Sequence, residues 1–326
     1  MNKFISKLAP IIKEYLEFRN TLGYSSTHEY YLAKFDFYCF ENHPDLETLT
    51  RESVRGWISH EISHGRSDLC NKVTPLRKLA KYIGNGAYIL PDKAVSKPPR
   101  YVPYILSDDE LSRLFAAVDN IKSGQYYRNF TNLKHIFPTL LRLMYTCGLR
   151  PHEVRLIKRD NINFDTGEIL IEKTKGHNGY KDRIVVMSDD MLEQCRKYDT
   201  VRSITSPQSE YFFVRADGVH IPKRQLSDTL RRCWQQANPD IPANMLPRLR
   251  PYDVRHRFAS AILQKWLSEE RDLYTMLPYL RAYMGHECFS ETAYYIHLLP
   301  ENLLSSSGVD WSIIDAVTPE VGIWKN

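Results

Sequence analysis

The stretch EILIEKTKGHNGYKDRIVVM, residues 168–187, decides the fold. On either side of it, apolar residues recur at the three-to-four spacing of amphipathic helices. Inside it, EILIEK (168–173) and DRIVVM (182–187) alternate or run apolar with β-branched residues, the signature of strands. Between the two runs, TKGHNGYK holds Gly176 and the pair Asn178-Gly179, residues that accept the positive φ of a tight turn. The stretch therefore predicts a β-hairpin with a basic tip inside a helical chain: a mainly α fold with a small antiparallel β-sheet.

Downstream, helical spacing returns in SDDMLEQCRKY, RQLSDTLRRCWQQ, PYDVRHRFASAILQKW, LPYLRAYMG and SETAYYIHLL, with YFFVR (211–215) as a short candidate strand. Upstream, a helix runs from His135 to Gly148, and Pro151 suits the first turn of the next. Ser107 and Glu110 have the spacing of a capping box, which marks a helix start and a new domain near residue 106. Just before it, SKPPRYVP (96–103) has too many prolines for helix or central strand and predicts an extended linker. The residues ahead of that linker read as helices: LAPIIKEYLEFRNTLG, the aromatic-rich Glu29–Phe40, SVRGWISHEIS and TPLRKLAKYIG. The expected organisation is a helical domain over 1–95, a linker over 96–105, and a second domain over 106–326 whose tail begins near residue 300.

Composition narrows the function. At 326 residues, 43% hydrophobic and 25% charged, the chain is ordinary globular material long enough for two cores. No apolar run reaches the roughly 18 residues of a membrane span, and MNKFISKLAPIIKEY carries charges where a signal peptide is apolar, so a cytoplasmic protein without membrane partners is expected. The six cysteines show no CxxC spacing, and there is neither a phosphate-binding GxxxxGK[ST] loop nor a dense His/Cys/Asp cluster, so no metal and no cofactor is expected. The formal charge is only +5, but residues 221–258 carry all of that excess: Lys223, Arg224, Arg231, Arg232, Arg248, Arg250, Arg255 and Arg257 against three aspartates. A neutral body with one basic stripe suits a polyanion.

Four short pieces bear on chemistry: GLRPHEV around Arg150, Lys175 at the hairpin tip, RPYDVRHRFA around Arg255, and MGH ending at His286 followed by TAYYIH. Singly, each has an ordinary explanation, such as a surface arginine paired with Glu153, a solvated lysine, or a tyrosine packed on a helix. Their order and spacing together resemble the tyrosine recombinase (phage-type integrase) family. Arg150 and Glu153 fit its Arg-x-x-Glu, Lys175 its hairpin lysine, Arg255-His256 the end of its His-x-x-Arg-His, His286 its Gly-His, and Tyr295 its terminal tyrosine. Thr292 and His297 also fall where that last box reads Thr-x-x-Tyr-x-His. The resemblance covers about residues 106–300 and implies a two-domain, C-shaped DNA clamp acting on double-stranded DNA. The chain departs from the pattern at Tyr252, three residues before Arg255, where the family has histidine. The long interval between Arg255 and His286 resembles members encoded by mobile elements.

The resemblance implies site-specific DNA recombination through a covalent 3′-phosphotyrosine, and the residue types suit that chemistry. Attack on a phosphodiester builds negative charge on non-bridging oxygens, which two guanidiniums, Arg150 and Arg255, stabilise with paired donors. Tyr295 is the nucleophile, with Tyr294 its rival one residue away. Lys175 would protonate the departing 5′-oxygen, while His286 and the phenol of Tyr252 would donate to the phosphate. His256 would orient neighbours, with Glu153 as a candidate partner. Lys223, Arg224, Arg231, Arg232, Arg248 and Arg250 would track the DNA backbone. The tail, with Trp311, Ile313, Ile314 and Val317, would dock on a neighbouring copy in a homo-oligomer, a tetramer on DNA. Two rivals remain at this stage: a non-cutting relative that regulates a partner recombinase, and a type IB topoisomerase-like relaxing enzyme.

Overall fold

Among the residues described in the computed structural model (4–24, 27–65, 69–84, 86–95, 101–122, 132–176 and 179–296), helices account for nearly all regular structure. The chain divides into two units, Met1–Tyr101 and Val102–Asn326. The first contains α1 (Ala9–Thr21), α2 (Thr27–Asn42), α3 (Arg51–Ser63) and α4 (Leu69–Ile83). Its core takes Ile12 and Tyr15 from α1, Leu32 and Phe35 from α2, Trp57 from α3 and Leu76 and Leu79 from α4, positions at helical spacing on each element. Thr50 starts α3 by accepting the Ser53 amide.

The second unit opens with α5 (Asp108–Asp119), whose capping box forms as its sequence predicts: Ser107 Oγ accepts the Glu110 amide at 3.2 Å and the Glu110 carboxylate accepts the Ser107 amide at 2.9 Å. Then follow α6 (Leu133–Thr146), the short α7 (Pro151–Leu156), strands β1 (Glu168–Gly176) and β2 (Gly179–Val186), α8 (Asp189–Thr205), α9 (Lys223–Gln236), α10 (Pro251–Ser268), α11 (Leu273–Met284) and α12 (Phe289–Ala293). Buried Phe137, Leu140, Leu141 and Met144 make α6 the centre of the main core, with α5, α8, α9 and the hairpin around it. A smaller cluster, Phe258, Leu263, Leu277, Met284, Tyr295 and Ile296, joins α10, α11 and the turn after α12.

The hairpin is antiparallel, pairing Ile169 with Val185, Ile171 with Arg183 and Lys175 with Tyr180, with an irregularity between Ile171 and Thr174. Its inward face carries Ile169, Ile171, Val185 and Met187, all buried, while Leu170, Ile184 and Val186 are exposed. Arg183 shares the inward phase, because side chains alternate along a strand.

Two expectations are corrected. YFFVR forms no strand; Tyr211 and Val214 make only single bridges, to Lys158 and His220, and Phe212 and Phe213 are both buried instead of alternating. The SETAYYIHLL helix ends at Ala293: the Tyr295 amide bonds the Thr292 carbonyl rather than one four residues back, and Tyr295 and Ile296 are both buried just beyond the helix end. The tail from 297 onward, including His297 and the apolar residues read as a docking helix, lies outside the described residues.

Candidate active site

The two arginine-bearing segments are built alike. In α7, Arg150 precedes Pro151 and donates its amide to Glu153 at 2.8 Å; in α10, Arg250 precedes Pro251 and donates its amide to Asp253 at 2.7 Å. Proline at the first helical position is pre-set for helix, and the acid at the third position satisfies an otherwise orphaned amide. The result fixes Arg150 at the entrance of α7 and Arg255 one turn into α10.

These helices converge on Glu153. Arg150 Nη1 donates to Glu153 Oε1 at 2.8 Å, and Arg183 makes a two-pronged pair, Nη1 to Oε1 and Nη2 to Oε2, each 2.8 Å. Arg255 Nη1 stands 3.9 Å from the same carboxylate. Burial pushes the Glu153 carboxyl upward, but its bonds and charges with Arg183 and Arg150 outweigh that and hold it at about 2. With Arg183 opposing Glu153, the positive charge of Arg150 and Arg255 remains uncancelled, as an incoming anion requires.

The rest of the site hangs on backbone carbonyls. Arg150 Nη2 donates to the Gly285 carbonyl at 2.5 Å, and Arg255 donates to those of Gly148 at 2.6 Å and Met284 at 2.7 Å. Gly148 has φ +56, and a Cβ there would lie 2.4 Å from the Phe258 ring, so glycine serves both the turn and the close approach of α10. Arg255 is almost wholly buried; burial lowers its pKa to about 10, which leaves it charged.

His286 lies between Arg255 and Thr292. Its Nε2 is 2.9 Å from Arg255 Nη2 and its Nδ1 is 2.9 Å from Thr292 Oγ1. A guanidinium only donates, so Nε2 accepts, and the imidazole proton sits on Nδ1, donated to Thr292. Burial, with Arg255 and Arg150 nearby, pushes the ring pKa down to about 3. The ring stacks on Tyr295 with centroids 5.8 Å apart and an interplanar angle of 15°. Tyr295 is 4% exposed; burial raises its pKa and the Arg255 guanidinium opposes the rise. Tyr294 is less buried, its ring 6.2 Å from that of Tyr295.

Arg150, Arg255, His286 and Tyr295 thus come together, joined by Glu153, Arg183 and Thr292. Lys175 takes a strand position opposite Tyr180, its side chain outside the described residues. His256 does not pair with Glu153, whose oxygens already accept from two arginines; it packs against Tyr295 with centroids 5.4 Å apart, and burial lowers its pKa to about 4. Tyr252, one turn before Arg255 on α10, is 47% exposed, its hydroxyl without a hydrogen bond among the described residues. It lines a cavity of about 720 Å³ with Lys223, Arg231, Arg248 and Arg250.

Arg224 and Arg231 flank Asp228, at 3.5 and 3.1 Å, and remain largely exposed, while Arg232 is half-buried. Arg257 leaves the basic stripe altogether: it is buried and paired with Asp108. Sequence reading missed Arg183, whose signal was a charged residue in phase with buried Val185 and Met187. It also missed the shared Arg-Pro-x-acid pattern at 150–153 and 250–253. Among the described residues, no group of histidine, cysteine and acidic side chains could hold a metal, and no helix is long and apolar enough to cross a membrane.

A mainly helical domain with one small hairpin and an Arg-Arg-His-Tyr cluster whose Arg255 and Tyr295 are buried defines a tyrosine recombinase-type catalytic fold. Residues 105–302 match the phage integrase family, so the chain belongs to that family of tyrosine recombinases, whose members recombine DNA. It is 27% identical over 320 residues to a Sinorhizobium fredii protein described as integrase/recombinase y4rE, covering 91% of this chain and 93% of that one. It is also 24% identical to tyrosine recombinase XerD of Staphylococcus aureus, over 88% and 94% of the two chains. In fold it is similar to the XerH site-specific recombinase in its post-cleavage complex with difH DNA, with a TM-score of 0.62 at 18% identity, over 88% of this chain and 79% of that one.

Proposed function

We propose that this chain is a catalytically competent site-specific recombinase of a mobile element, cutting and rejoining double-stranded DNA through a 3′-phosphotyrosyl bond to Tyr295. The observation that carries this reading is the convergence of Arg150, Arg255 and His286 on the buried Tyr295. A pure DNA binder has no use for a buried guanidinium, Arg255, beside a second, partly buried one, Arg150, whose charge the fold leaves uncancelled next to a phenol, because burying charge is costly.

In the proposed reaction, the scissile phosphate takes donors of Arg150 and Arg255 that here point at backbone carbonyls. The Tyr295 oxygen attacks phosphorus, the P–O bond to tyrosine forms, the phenolic proton passes to solvent, and the bond to the 5′-oxygen breaks. Lys175 gives that oxygen its proton. The aryl phosphate conserves the bond energy, so a 5′-hydroxyl of a second strand reverses the step and completes the exchange. The free hydroxyl of Tyr252 donates to the phosphate, and His286 holds Arg255 in place; an imidazole held neutral by its surroundings at about 3 is a weak base. Lys223, Arg224, Arg231, Arg232, Arg248 and Arg250 bind the duplex backbone, the first unit serves as a second DNA-clamping domain, and copies assemble as a tetramer through the tail after residue 300.

The test is strand exchange between two labelled duplexes carrying the element's own junctions, run without nucleotide and with EDTA. Recombinant product is expected. Binding of both duplexes with no exchanged strand, under conditions where a sequence-matched XerD recombines its own sites, would contradict the reading.

A further inference from the structure

The bidentate pair between Arg183 and Glu153 joins two elements that chemistry must bring together. Glu153 belongs to α7, whose entrance holds Arg150; Arg183 belongs to β2, opposite Ile171 of β1. Its third donor, Nε, bonds the Tyr283 carbonyl of α11 at 3.0 Å, so one side chain ties the hairpin to both α7 and α11. Lys175 lies four residues beyond Ile171 along β1, about 13 Å at the rise of a strand.

We infer that Arg183 is a positioning residue that sets the hairpin, and with it Lys175, against the Arg150 clamp. The argument rests on the proposed general-acid role of Lys175. Arg150 has its own bonds to Glu153 and the Gly285 carbonyl, and Arg183→Lys keeps the charge that opposes Glu153, so in that variant the loss falls on the hairpin. Lysine at 183 keeps the charge but cannot make two parallel bonds and a third to Tyr283 at once. A strand tether lost at its base moves the tip, and a displacement near 1 Å costs on the order of 100-fold when a proton must be delivered in line.

The experiment compares single-turnover cleavage by the full chain on an ordinary duplex and on one whose scissile 5′-bridging oxygen is sulfur, a leaving group that needs no proton. Arg183→Lys and Arg183→Gln are measured beside Lys175→Ala, with DNA binding and thermal unfolding as controls. The expected result for Arg183→Lys is a loss of roughly 10- to 100-fold on the ordinary duplex, shrinking to within about threefold on the sulfur duplex, as for Lys175→Ala; Arg183→Gln, which also removes the charge opposing Glu153, should be slower than Arg183→Lys on both duplexes. Recovery by Lys175→Ala alone, with Arg183→Lys equally slow on both substrates or as fast as the parent on both, would overturn the positioning role while leaving the acid in place. No recovery by Lys175→Ala would instead remove the general-acid reading and this inference with it. Unfolding of both Arg183 variants below the assay temperature would make Arg183 a folding residue and also overturn it.

Discussion

Arg255 donates to the Nε2 of His286 at 2.9 Å, which makes that histidine an acceptor and fixes its proton on Nδ1. The pair turns a motif match into a chemical assignment. His286 keeps a buried guanidinium aligned, and Thr292 keeps His286 aligned. The Tyr295 ring stacks on the face of that imidazole, so nucleophile, histidine and arginine form one packed unit.

A neutral His286 predicts a specific pH dependence. Its pKa falls from an ordinary value near 6.5 to about 3 in the fold. Its contribution to stability is therefore complete above about pH 6.5 and is lost as pH falls toward 3, because the unfolded chain takes up the proton first. His286→Gln, which can still accept from Arg255, should flatten the stability slope between pH 4 and 6 by about 1.4 kcal/mol per pH unit. Urea midpoints across that range check it; an unchanged slope would mean that the imidazole is already protonated in the fold.

Gly148 carries more than a turn. Gly148→Ala puts a side chain at φ +56 and a methyl 2.4 Å from Phe258, whose helix bears Arg255. The left-handed conformation costs about 1–2 kcal/mol and the overpacking about 1–3 kcal/mol. The variant should unfold at lower urea and cleave more slowly, because the Gly148 carbonyl that holds Arg255 Nη1 shifts. Parental values for both midpoint and cleavage rate would show that α10 has room to move.

Tyr252 is half-exposed, its hydroxyl without a hydrogen bond among the described residues, in the cavity that Arg248 and Arg250 also line. As a phosphate donor it contributes one neutral-to-charged hydrogen bond, about 1.5–3 kcal/mol, so Tyr252→Phe should slow cleavage roughly 10- to 150-fold. Tyr252→His should keep or raise activity. A Phe variant within about twofold of the parent in a single-turnover assay would remove Tyr252 from the chemistry without touching Arg150, Arg255 or Tyr295.

Legibility followed physical locality. The Ser107 and Glu110 cap and the Gly148 stop are one-turn events written in adjacent residues, and they appear where the sequence places them. Arg150, Arg255, His286 and Tyr295 lie far apart in sequence, and only motif order suggested their convergence. Arg183 stayed hidden because DRIVVM runs apolar on both faces: Ile184 and Val186 are exposed yet read like the buried Val185, so the run conceals which phase faces inward. The end of α12 was hidden for a related reason, since burial of consecutive Tyr295 and Ile296 is set by α10 and α11 rather than by local helix propensity. The pairing of His256 with Glu153 failed on stoichiometry: the carboxylate oxygens are already taken by two guanidiniums.

The most direct test of the central claim is covalent capture on a nicked suicide duplex carrying the element's junction, resolved on a denaturing gel. Tyr295→Phe should give no protein–DNA adduct while binding the duplex within a factor of a few of the parent, and Tyr294→Phe should form adduct nearly as well as the parent. An adduct formed by Tyr295→Phe, or one lost only in Tyr294→Phe, would contradict the account.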